Sequence, residues 1–252
     1  MVYEPRFYRY GMGRNRFKAF KLLYKETDIW VGVDPDSYRD EMVEFLRDEI
    51  IRLRRILETY ISSHPEFHDS LKPVKPRGDV PQIIKEMCEA GEKAGVGPMA
   101  AVAGAFAQHL GSKILEKFEV KELIVENGGD IFLKLMRSAV IAIFAGQSPF
   151  SGKVGLEIPP EDTPCGVCTS SATVGPSLSL GNADAVTVVC RKAPLADAFA
   201  TAYCNRIKSK NDIEKIIAEV QNTPGILTLV AMLDDVMGVW GKHHLKILKH
   251  AG

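Results

Sequence analysis

The sequence carries no excess of charge of either sign: 32 Lys and Arg offset 32 Asp and Glu, leaving zero net charge with histidine neutral. Without a global field to concentrate a polyanion, nucleic-acid binding is disfavoured. No apolar run reaches the roughly 20 residues a membrane-spanning helix needs, so no membrane partner is expected. The first residues, Met1-Val2-Tyr3-Glu4-Pro5-Arg6, lack the basic, apolar and small-residue succession of a secretory signal. Cysteine is scarce, five in 252 residues. An odd number with no signal reads as reduced thiols and a cytoplasmic address, not a disulfide framework. Tryptophan occurs only twice; Trp30 and Trp240, like Phe150, could stack on a ring but are read as core residues.

What is present is ordinary globular material, 46% hydrophobic and 25% charged, which excludes disorder and collagen-like repeats. The length suffices for one large core, read here as one domain over residues 1–252 made of two intimately packed halves. The N-terminal arm is basic (Arg6, Arg9, Arg14, Arg16, Lys18, Lys21, Lys25), but its interleaved aromatics favour an entry strand. Residues 16–34 alternate as a hairpin turning at Glu26-Thr27-Asp28. From Pro35 to Ser62 the spacing of Met42, Phe45, Leu46, Ile50, Leu53 and Leu57 predicts a long amphipathic helix capped by Asp36 or Ser37. The proline-rich segment from His64 to Val80 reads as a linker or lid.

Further helices are predicted from Pro81 to Gly95 or Gly97, from Pro98, from Pro194 to Lys208 and from Asp212 to Gln221, proline being suited to a first helical position. Strands are predicted at 121–126, 130–136, 138–145, 153–158, 165–172 and 184–190, with strand-like segments from Gly225 to Trp240 and His244 to Leu248. Strands and helices fall in blocks without regular βαβ alternation, which favours an α+β class. The segments Pro98-Met-Ala-Ala-Val-Ala-Gly-Ala-Phe-Ala and Pro194-Leu-Ala-Asp-Ala-Phe-Ala-Thr-Ala look like counterparts in a duplicated unit, their small-residue helices meeting at a shared centre.

Two short stretches carry the functional reading. Asn127-Gly128-Gly129-Asp130 sits between apolar strands, where paired glycines let a ligand approach the main chain and Asn and Asp add an amide and a carboxylate. Asp197 and Thr201 stand four apart on a predicted helix, so both face one way and could share a hard cation with phosphates and waters. On the residues alone the favoured reading is that Thr201 bonds the carbonyl of Asp197 while Asp197 caps or pairs at the start of its own helix. Glu126 and Asp130 could orient a ribose or a base, or cap the turn. Cys165 and Cys168 have the spacing of a redox pair or half a zinc site, but structural thiols are the stronger reading. Hydroxyls and amides of Thr169, Ser170 and Ser171, beside Cys168, could hold a phosphate or a flavin edge. His243 and His244, with His250, are read as surface residues, and His109 as a helix-surface or satisfied core residue.

Asn127-Gly-Gly-Asp-Ile131 followed by Ala196-Asp-Ala-Phe-Ala-Thr-Ala202 resembles the two signature motifs of the ApbE family, flavin transferases that use FAD and magnesium to attach FMN to a target threonine. Gly95 to Ala105, Val125 to Ile131 and Gly166 to Ser171 are similar to a shorter ApbE-like branch of bacterial and archaeal proteins. The resemblance covers roughly residues 80–205 and implies a duplicated T-fold, antiparallel sheets backed by helices. It implies FAD or FMN held by Asn127, Gly128, Gly129, Asp130, Cys168, Thr169, Ser170, Ser171 and Gly104, Mg2+ held by Asp197 and Thr201, and a main-chain oxygen near Val102 or Ala103. A protein partner or acceptor is implied as well, with a homo-oligomer left open. Two positions depart from the transferases: their Lys is Ala103 here, and their proton-accepting His falls on Pro176, which accepts no proton. Relatives in the branch are linked to sulfide incorporation into homocysteine, so the resemblance also allows an accessory protein in sulfur assimilation.

Overall fold

The computed structural model describes residues 13, 16–173 and 180–248; Arg6, Arg9 and Arg14 of the basic arm, Pro176 and His250 lie outside them. Period-two alternation gives the first hairpin, β1 (Lys18–Tyr24) and β2 (Thr27–Val33), turning at Lys25-Glu26, one position earlier than expected, with Lys25 at φ 53°. Helix α1 (Glu41–Ser63) buries Met42, Leu46, Ile50, Leu53 and Leu57 along one stripe. It starts later than expected, because Asp36 and Ser37 belong to a turn organised by Asp34. The Asp34 carboxylate accepts from the Ser37, Lys121 and Glu122 amides, tying the end of β2 to the chain entering the next hairpin. The proline-rich segment holds a short helix, α2 (Pro65–Asp69), pinned by the fully buried Phe67.

Helix α3 (Gln82–Ala94) ends at Gly95, which takes the left-handed conformation at φ 72°. Pro98–Ala101 forms a 3-10 turn that leads into α4 (Val102–Lys117). The hairpin β3 (Leu123–Asn127) and β4 (Asp130–Lys134) follows, then β5 (Ala139–Ala142), β6 (Val154–Ile158), β7 (Cys165–Ser170) and β8 (Ala185–Cys190). Helices α5 (Ala193–Arg206) and α6 (Lys210–Val220) precede β9 (Ile226–Leu233), β10 (Val236–Gly241) and β11 (His244–Ile247). The helix ends Arg206 and Val220 fall within two residues of the sequence reading.

Eight strands form one antiparallel sheet in the order β1-β2-β3-β4-β7-β8-β9-β10. The first four and the last four each comprise a hairpin, a run of helices and a second hairpin, which is the duplicated T-fold. The halves join through β4 and β7, where Ile131, Phe132 and Leu133 pair with Val167, Gly166 and Cys165. All the helices lie on one face, enclosing a core that includes Val31, Leu46, Phe106, Leu110, Val125, Phe132 and Leu229. A three-stranded sheet, β11-β6-β5, covers the other face over Trp30, Ile131, Leu133, Leu156, Val167 and Val230. Trp30 is therefore core, as expected, and Trp240 packs partly buried against the helix-side core.

Candidate functional site where the two halves meet

The sheet face covered by helices is read from the alternation of each strand. On β3 and β4, Val125 and Phe132 enter the helix-side core, so Asn127 and Asp130 project the same way. On β7, Gly166, Cys168 and Ser170 share that face. The hairpin turn is Gly128-Gly129, at φ 69° and 104°, a two-residue loop in which both central residues need positive φ. Glu126 Oε1 accepts the Gly129 amide at 2.8 Å and fixes the turn.

Above this turn lies the first turn of α4. Asn127 Nδ2 donates to the Ala103 carbonyl at 3.2 Å. The Gly104 amide donates to Asp197 Oδ2 at 2.8 Å, so a carboxylate on α5 caps α4, whose own N-cap residue, Ala101, supplies no side-chain bond. The exchange is mutual. Gln108 Oε1 on α4 accepts the Ala193 amide at 2.8 Å and caps α5 in turn. The two helices approach so closely at Gly104 that a Cβ there would lie 2.5 Å from the Ala193 carbonyl oxygen. The two small-residue segments thus meet, and their small side chains are what allow it.

Asp130 and Asp197 form the floor of this meeting point, both nearly fully buried. Burial pushes Asp130 well above the ordinary carboxylate range, Asp197 raises it further by repulsion, and the Cys168 thiol and Thr169 main chain pull back. Burial also raises Asp197, against the opposing pull of the Gly104 and Ala103 amides. Asp130 Oδ1 has no hydrogen-bond partner. Around this floor runs a half-buried rim of Ala103, Asn127, Gly129, Ser170 and Thr201, with the tip of the turn, Gly128, exposed. Thr201 Oγ1 and Ser170 Oγ lie 2.9 Å apart and link α5 to β7.

Gly104, Asn127, Gly128, Gly129, Asp130, Cys168, Ser170, Asp197 and Thr201 therefore gather at one place, though far apart in sequence. Cys168 is fully buried and donates its thiol to the Ala193 carbonyl at 3.4 Å, behind the rim. Two expected residues turn aside. Thr169 projects to the opposite face of β7, where its hydroxyl lies 2.9 Å from Thr187 on β8. Ser171 Oγ accepts the Thr173 amide beyond the end of the strand. Asp197 caps the other helix rather than its own. The redox or zinc reading of Cys165 and Cys168 has no support, because alternation sends Cys165 into the core between the sheets and Cys168 into the helix-side core. Both thiols are free, and burial pushes Cys165 to about 12.

The donor set suits a hard cation: two carboxylates, a hydroxyl and a peptide carbonyl, all oxygen. Among the described residues no group of three His, Cys, Asp or Glu side chains forms a metal-binding set. A cation here would complete its shell with neutral oxygens and with oxygens of a ligand. The buried, unpartnered oxygen of Asp130 fits that use, since such an atom is costly to leave unsatisfied.

Sequence reasoning missed two features. Gln108 gives no local signal, since its partner lies 85 residues away. His243 is buried rather than on the surface: its Nε2 lies 3.0 Å from Asp162 Oδ2 and its Nδ1 2.6 Å from Thr228 Oγ1. Lys242 and Arg191 also pair with Asp162. Thr228 is fully buried, which closes this arrangement to a substrate and makes it a clamp on the chain entering β11. His109 pairs with Glu49 and Arg52 on the α1–α4 surface, as a satisfied residue. Among the described residues, no helix is long and apolar enough to cross a membrane.

The comparisons with known proteins agree with this architecture. The chain is 43% identical over 225 residues to a UPF0280 protein of Methanocella arvoryzae, covering 89% of each. It is 40% identical over 230 residues to the UPF0280 protein of Methanocaldococcus jannaschii, covering 88% of this chain and 90% of that one. Its fold is similar to the flavinyl transferase ApbE of Pseudomonas stutzeri, with TM-score 0.50, 12% identity and coverage of 89% and 94%. It is also similar to the ApbE protein of Thermotoga maritima, with TM-score 0.56, 12% identity and coverage of 88% and 96%. At such identity these two likenesses speak for the fold alone. A family model described as AbpE bacteria matches residues 11–226, and with relatives at this level of identity, the chain belongs to that family.

Proposed function

We propose that the chain binds a flavin nucleotide, FAD or FMN, together with a divalent cation such as magnesium, at the junction of α4, α5 and the β3–β4 turn. The observation that carries this reading is that Asn127 and Asp197 meet at the first turn of α4, with Asp130 beside Asp197 and Thr201 joined to Ser170 on β7. Asp197 and Thr201 would hold the cation, with the Ala103 carbonyl beside them. The cation would supply charge neutralisation for a pyrophosphate. The turn, with Ser170 at the rim, would present amides and hydroxyls to the ligand, and exposed Gly128 lets a bulky ring approach the main chain. The two halves act as a single domain in this scheme, because each provides part of the site.

The fold of ApbE flavin transferases supports flavin chemistry as a class, with a protein acceptor as partner. The chain's own residues favour binding over turnover: Ala103 stands where the transferases carry Lys, and Pro176 where they carry the proton-accepting His. The first reading therefore does not require transfer, and a non-catalytic or accessory role in sulfur assimilation is the second. Thermal unfolding with FAD, with and without magnesium, tests the first. We expect stabilisation that needs magnesium and is lost in Asp197→Ala; no shift at high micromolar FAD would overturn it. Release of AMP, or a covalently flavinylated acceptor seen by mass spectrometry, would separate a transferase from a binding protein.

A further inference from the structure

Asp130 is an expensive residue to keep. It is nearly fully buried, its Oδ1 has no hydrogen-bond partner, and its neighbours include Asp197, a second buried carboxylate. Among the described residues, no ion pair reaches either acid. Its position is firmly set. It closes the Gly128-Gly129 turn opposite Asn127, whose amide is engaged with the Ala103 carbonyl, and it abuts Cys168, which is itself anchored to the Ala193 carbonyl. Its side chain lies deep, below the half-buried rim. Two buried carboxylates that repel each other are relieved by a proton or by a compensating positive charge.

We infer that Asp130 is a second carboxylate ligand of the cation held by Asp197 and Thr201, so that two acidic side chains match one divalent ion before any nucleotide arrives. This assignment rests on the cation-binding reading above and adds to it a residue and an order. A site with its own charge balance takes the ion alone, and a pyrophosphate then meets a neutral, partly filled site rather than two bare carboxylates. The two acids come from opposite halves, so the ion also bridges the seam between β4 and β7.

Manganese alone, titrated into the full chain and followed by the paramagnetic resonance of the free ion, tests the inference. Wild type is expected to bind one ion, and Asp130→Asn to bind it about tenfold or more weakly, the least expected for a direct ligand when outer-shell partners alone cost about that much. Asp130→Asn removes a buried charge while keeping size and an acceptor, so its metal-free thermal unfolding should lie at or above that of wild type. Manganese should then raise the unfolding temperature of wild type far more than that of the variant. Asp130→Ser, smaller and uncharged, serves if the amide disturbs packing, and should show the same loss. Unchanged manganese affinity in a folded Asp130 variant would overturn the inference while leaving the cation reading intact. Absence of manganese binding by wild type would overturn the cation reading itself, and the inference with it.

Discussion

The Gly104 amide and the Asp197 carboxylate, 93 residues apart, meet at 2.8 Å and lock the start of one central helix to the flank of the other. Asp197→Ala should leave that amide uncapped and cost about 0.5–2 kcal/mol in metal-free protein. Asp197→Asn keeps an acceptor oxygen and sheds the buried charge. We expect it to unfold in denaturant at a higher midpoint than the alanine variant; the reverse order would show that an acceptor oxygen at this position does not hold α4.

Gln108 is the reciprocal partner, and Gln108→Leu retains most of its bulk while stranding the Ala193 amide. A loss of about 1–3 kcal/mol is expected, the cost of an unsatisfied buried donor. Equilibrium urea unfolding measures it, and a loss within error of zero would mean that water reaches the α5 terminus.

Gly104→Ala places a methyl 2.5 Å from the Ala193 carbonyl oxygen and 2.9 Å from Asp197 Cβ. The backbone on the far side cannot swing away as a flexible side chain would. Overpacking of this kind costs about 1–3 kcal/mol, which for a chain of this size lowers the thermal midpoint by roughly 2–12 °C. Calorimetry on the two proteins side by side would reveal it.

The two site carboxyls give the metal-free protein a recognisable pH response. Their folded values are raised, mainly by burial, so their contribution is complete below about pH 4, where the unfolded carboxyls also hold protons. It is lost as pH climbs through the folded values. Wild type should therefore lose stability relative to Asp130→Asn as pH rises, and added magnesium should restore it. Parallel curves for the two proteins would contradict this.

At His243 the sign is opposite. Burial lowers its value despite the pull of Asp162, so its contribution is present above about pH 6.5 and lost as pH falls through the folded value. Denaturant midpoints of wild type should drop between about pH 7.5 and 5 more steeply than those of His243→Gln.

Much of this architecture was legible in the chain because its signals are local. The α1 stripe of Met42, Leu46, Ile50, Leu53 and Leu57, the glycine stop at Gly95 and the prolines at 98 and 194 announce elements within a few residues. The α2 turn was hidden, since five residues among prolines carry too little periodicity and only the burial of Phe67 secures it. His243 escaped because strand alternation does not continue through it: Gly241, at φ 127°, ends β10, and the Lys242 amide turns to the Leu227 carbonyl. The motifs disclosed which residues meet, but not which way they face. Thr169 and Ser170 are adjacent in sequence, yet the pleat sends only Ser170 toward Thr201. Gln108 needed the folded chain, because its partner is set by the helix crossing and not by its neighbours.

The joint between β4 and β7 spans only three residue pairs, and each half of the molecule leaves one acid beside it. Neither half alone owns a complete set of oxygens. Any fragment that stops before α5, however well its own hairpins and helices form, holds Asp130 without Asp197 and Thr201, so the two acids meet only in the full pair of halves.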